Sequence, residues 1–156
     1  VIAPATRRQP HLKYAQIRPG HRTEGDGGGI IDLYRMPEFL EALTALKCSN
    51  ALTAEEWKQV GAWLNQYYTW LTTSRQVRHA HTRSNNHYLF YVAQCAYLAS
   101  FLGRSHEAAQ WLADAFAKMD RHLAPDGSQP EELNQAETGP FTVYTLHAKG
   151  YQAHLS

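Results

Sequence analysis

The sequence predicts an all-α fold, and three observations carry that prediction. Apolar residues recur at helical spacing through four successive segments. No segment alternates apolar and polar residues at period two between turn signals. One segment is apolar on every side while its neighbours are amphipathic, which marks an inner helix between outer ones. Outer, inner and outer helices joined by short loops behave as stacked antiparallel helical hairpins, the unit that repeats into solenoids or closes into an α/α toroid. At 156 residues the chain has room for one core but only part of a closed ring. An incomplete α/α toroid is the expected architecture, and with inner faces left uncovered it is expected to be poorly soluble in isolation.

Residues 1–29 read mostly as loop and end in three glycines. No Lys-Ser/Thr pair follows them, so they do not form a phosphate-binding loop. Pro37 is suited to the first turn of a helix reaching residue 46, with Phe39, Leu40, Leu43 and Leu46 on one face. The next helix opens at "TAEE", where Thr53 and Glu56 have capping-box spacing, and its apolar stripe continues through Leu71. The inner helix spans residues 86–102; Gly103 is placed to end it in a left-handed conformation, and Ser105 to cap the next. That helix, 106–123, is amphipathic on Ala108, Trp111, Leu112, Ala115, Phe116, Met119 and Leu123. Two prolines and a glycine then break the pattern, and 142–155 reads as a last helix weakened by Gly150.

Composition excludes more than it selects. Fifteen Lys and Arg against fourteen Asp and Glu give no electrostatic case for nucleic acid or a membrane surface as partner. No apolar run has the length of a membrane span. Of two cysteines, Cys95 falls inside the inner helix, where a buried thiol is the default. The four Trp lie in helical segments, where they either belong to the core or line a sugar cleft.

The chemistry concentrates at "SNNH", residues 84–87. One Asn suffices to cap the inner helix, so two Asn and a His exceed what capping requires. A neutral amide beside an imidazole at the positive end of a helix suits a carboxylate. In a uronic-acid sugar, an amide bonded to the carboxylate acidifies the adjacent C5 proton, and a neutral His can accept it. A polar cap without catalytic duty remains the alternative. His79, His81 and His87 do not have zinc-ligand spacing, and their basic loop offers no nearby carboxylate or thiolate; no metal and no cofactor are expected. No serine or cysteine has the setting of a nucleophile, and Glu131 with Glu132 reads as a turn or helix start after Pro130.

Several stretches taken together resemble the alginate lyase-like polysaccharide lyases. They are "LKYAQIRPG" (12–20), "GGIIDLYRMP" (28–37), "LTAEEW" (52–57), "WLNQYYTWL" (63–71), "NNHYLFYVAQ" (85–94) and "APDGSQPEEL" (124–133). The resemblance implies that residues 1–156 are the C-terminal part of a single α/α-toroid lyase domain, secreted or periplasmic, acting on an acidic polysaccharide. It implies that Asn86 neutralises the uronate carboxylate and His87 abstracts the proton. Asn85, Tyr91, Arg83 and Gln135 are the expected substrate contacts. The family pattern places an Arg and a proton-transferring Tyr after "PEEL", where this chain has Gln135 and Phe141. Tyr144, one helical turn beyond, is the expected substitute acid. A relative that binds acidic glycan without cutting it, and a helical scaffold, are the alternative readings.

Overall fold

The computed structural model describes residues 27–131, and among them all regular structure is helical. A 3-10 helix, Gly27–Leu33, leads into α1 (Met36–Lys47), α2 (Ala54–Thr73), α3 (Arg75–His81), α4 (Asn86–Phe101) and α5 (Ser105–Ala117), and a short 3-10 turn follows at Met119–Arg121. The expected last helix and residues 1–26 lie outside the described residues.

Helix α4 is the hub. It packs against α1, α2, α3, α5 and the N-terminal 3-10 helix, as its apolar circumference requires. Tyr88, Tyr91, Val92, Cys95, Leu98 and Ala99 are buried there, and burial pushes the Cys95 thiol up to about 12. Its one fully buried polar residue, Gln94, accepts a hydrogen bond from Tyr67 on α2 (2.7 Å) and donates one to the Ile30 carbonyl (3.0 Å). Inner helix α4 and outer helix α5 are joined by a tight turn, the hairpin that the apolar pattern predicts.

Local chemistry sets the helix ends. Thr53 and Glu56 form the capping box in both directions, Glu56 N–H to the Thr53 hydroxyl and Thr53 N–H to the Glu56 carboxylate. Gly103 has φ +77°; its N–H bonds to the Ser100 carbonyl and that of Arg104 to Ala99, which is the Schellman pairing.

Four expectations need correction. Gly27–Leu33 is a 3-10 helix, so the glycines open structure rather than complete a loop. The buried stripe of α1 is Met36, Leu40 and Leu43, which leaves Phe39 and Leu46 exposed. Ser105 is not a cap: Arg104 takes that position without a side-chain bond, because the Schellman turn delivers the chain one residue earlier. Helix α5 stops at Ala117, and the tighter 3-10 turn that follows brings His122 into the core rather than extending the stripe to Leu123. The four Trp are half-buried, all against the core.

Because Gln94 is wholly enclosed, Tyr67→Phe leaves its amide oxygen without the phenol donor. The expected loss is about 1–3 kcal/mol of stability, read from the denaturant midpoint at unchanged slope. A loss no larger than that of an exposed Tyr→Phe control counts against the bond.

Candidate functional site

The N-terminal end of α4 holds the residues that the sequence singles out, and their roles differ. Asn85 is buried and caps the helix, its Oδ1 accepting from the His87 backbone N–H at 3.1 Å. Asn86 and His87 occupy the first turn and are half-buried. Tyr91, expected to touch substrate, is 4% exposed, and its hydroxyl donates to the Leu71 carbonyl at 3.2 Å. Its ring meets Trp111 and His81 edge-on, so it stands inside the wall of the site rather than on its surface. Arg83 is exposed in the α3–α4 connection. Gln135, Phe141 and Tyr144 lie outside the described residues.

The histidines before this turn are not in a loop. Ser74 ends α2, and its hydroxyl accepts from the Val77 N–H (3.4 Å) at the start of α3. Val77 and Ala80 bury one side of this short helix and bring His81 to its last position. Among the described residues no group of three potential metal ligands forms.

The structure assembles a polar cluster that the sequence does not announce. Asp114 on α5 accepts from Lys118 Nζ at 2.7 Å and lies 3.5 Å from His81 Nε2 and from the Tyr88 hydroxyl. Lys118 holds the Asp114 carboxyl below the usual carboxylate range, with His81 adding to the effect, and Asp114 in turn raises the Lys118 ammonium. Lys118 also sits 5.0 Å above the Tyr88 ring. On the same ring His122 stacks at 5.0 Å between centroids and 11° between planes. Burial pushes the Tyr88 phenol up and the His122 imidazole down; a bond to the Ser84 backbone partly opposes the latter, and Arg121 and Lys118 reinforce it. Asp114 is the available signal: a carboxylate between Trp111 and Ala115, with Lys118 four residues on, interrupts the inward stripe of α5.

A groove of about 590 Å³ opens between the α3–α4 connection and the end of α5, with His81, Arg83, Ser84, Lys118, Arg121 and His122 on its walls. A second hollow of about 690 Å³ lies on the other side of Asp114, where Trp111 donates to the Tyr68 hydroxyl (3.1 Å), which donates to Glu107 (2.7 Å).

A polar cluster at the head of the central helix, within an all-α stack of hairpins, defines the class; the comparisons supply the family. The sequence model of the alginate lyase family matches residues 1–155. The chain also resembles the crystal structure of an alginate lyase from Bacteroides ovatus, with 33% identity and a TM-score of 0.74. That match covers 80% of this chain and 33% of the other, so the chain spans about a third of its length. No curated protein matches significantly. The chain belongs to the alginate lyase family.

His122 supplies a test of the cluster's packing. Its folded imidazole titrates below the ordinary 6.5, so the unfolded chain takes up the proton first as pH falls. Its contribution is intact above about 6.5 and is lost as pH drops through that value toward the folded pKa. Melting temperature measured across that window falls in the parent and falls less in His122→Phe, which keeps a ring against Tyr88. Identical slopes in the two proteins rule this assignment out.

Proposed function

We propose that this chain is part of a polysaccharide lyase that cleaves a uronate-containing glycan by β-elimination. The observation that carries the reading is the family match over residues 1–155, together with Asn86 and His87 in the first turn of the central helix. Asn86 neutralises the substrate carboxylate, which lets charge develop there as the C5 proton leaves. His87 is the base. Asn85 fixes the turn that carries both, through its bond to the His87 N–H.

The leaving oxygen needs a proton from another group. Phe141 has none to give, so the sequence fits a reaction with base and acid on opposite ring faces, as guluronate geometry requires. A same-face reaction, as in mannuronate or glucuronate, suits a single Tyr in both roles. Tyr144 is the candidate acid. The acidic polysaccharide is the partner, and a secreted or periplasmic site of action follows from it; among the described residues no helix is long and apolar enough to cross a membrane.

The experiment uses the full-length protein with alginate and glucuronan, following the near-ultraviolet absorbance of the unsaturated product. His87→Ala lowers kcat by about 10²–10⁴-fold, the usual worth of a positioned base. Asn86→Ala lowers kcat more than it raises KM, because it removes charge stabilisation made in the transition state. Measurable uronan binding with no product from either substrate would favour the non-cleaving relative. Unchanged turnover in both variants would remove the site assignment.

A further inference from the structure

The groove beside the helix head has a charge pattern that the β-elimination step does not use. Among the described residues on its walls five carry cationic or imidazole groups, His81, Arg83, Lys118, Arg121 and His122, and one, Glu131, is an acid. The chain as a whole is nearly neutral, so this concentration is local. The Lys118 charge is answered by Asp114 at 2.7 Å. Arg83 and Arg121 are different: both are exposed, and among the described residues neither makes an ion pair. They come from separate elements, the α3–α4 connection and the 3-10 turn after α5, and the fold brings them to one concavity.

Two guanidiniums that line one groove with no ion-pair partner among the described residues repel each other unless an anion lies between them. A guanidinium presents a planar fork that matches a carboxylate in two parallel hydrogen bonds. The groove volume, about 590 Å³, falls within the roughly 300–1,000 Å³ usual for ligand sites. Ser84 lines the groove and is two residues before Asn86, so the groove adjoins the helix head along the chain. His122 supports the floor: it is buried and stacks on Tyr88, so it adds ring surface to the groove.

We infer that this groove is a second carboxylate-binding subsite, in which Arg83 and Arg121 hold the acidic sugar unit next to the one engaged by Asn86 and His87. The inference rests on the lyase reading and deepens it by naming where a second substrate charge goes.

The test measures binding separately from chemistry. In full-length protein carrying His87→Ala, alginate and glucuronan oligomers are titrated against the parent, Arg83→Gln, Arg121→Gln and the double variant. The double variant weakens binding about tenfold, or ~1.4 kcal/mol. It also flattens the salt dependence, because exposed charge pairs are the ones that salt screens. In protein that retains His87 the same substitutions raise KM more than they lower kcat. Each single variant shows part of the loss, and melting temperature stays near the parent's because both side chains are exposed. Unchanged affinity and salt dependence in the double variant, with turnover still abolished by His87→Ala, would falsify the subsite and leave the lyase reading standing. A loss confined to kcat also overturns it, since that outcome assigns the arginines to the reacting centre. Absence of binding and product with every uronan tested removes both readings together.

Discussion

One buried amide sets the geometry of everything around it. Helix α4 is apolar on all sides, and apolar contacts alone tolerate rotation about the helix axis and sliding along it. Gln94 does not. Its oxygen must meet the Tyr67 hydroxyl and its nitrogen the Ile30 carbonyl, because an amide buried without partners costs about 1–3 kcal/mol for each group left unsatisfied. Those two bonds connect α2, α4 and the N-terminal 3-10 helix and fix the register among them. Tyr91, one turn earlier, adds its bond to the Leu71 carbonyl on α2. His87 lies seven residues before Gln94, nearly two full turns, and therefore on the same side of the helix. The interaction that orients the core thus also sets the direction in which the proposed base projects.

At the head of that helix, structural and chemical duties fall on adjacent residues. Asn85 is committed to the cap, which leaves Asn86 and His87 on helical backbone whose position is already determined. Tyr88, next in sequence, turns inward and meets the α5 cluster, where Asp114, Lys118 and His122 surround its ring and hydroxyl. The result is a supporting cluster at the first turn: a phenol in contact with an imidazole and an ion pair. Precise placement of reacting groups depends on support of this kind, since a small displacement lowers reactivity steeply.

Much of this was legible in the sequence wherever one local rule sufficed. Thr53 with Glu56, Pro37 in the first turn, Gly103 after the inner helix and the all-round apolar segment each specify their own structure. Helix α3 escaped because seven residues offer too little periodicity, with only Val77 and Ala80 to show it. The early end of α5 escaped because Leu112, Phe116 and Leu123 extend the apolar pattern although the fold leaves them exposed. "NNH" stood out as a candidate site by its surplus over capping, whereas Tyr91, expected as a contact, is buried. The groove had no local signal: Arg83 and Arg121 are far apart in the chain, and only packing of α3, α4 and α5 brings them together.

On the lyase reading, the two ends of this surface make different contributions to rate. A carboxylate held by Arg83 and Arg121 is remote from the bond that breaks, and its charge is the same in substrate and transition state. Such uniform binding improves capture of the polymer without lowering the barrier to chemistry. The carboxylate at Asn86 is adjacent to C5 and gains electron density as the proton departs, so a hydrogen bond to it strengthens along the reaction. A protein that only bound acidic glycan would need the groove and a matching contact at the helix head, but no base. The distinguishing residue is therefore His87, because an imidazole adds little to carboxylate capture that the amide and the arginines do not already provide. On that reading, a place on the stripe whose register Gln94 sets is a restraint that a base needs and that simple binding does not.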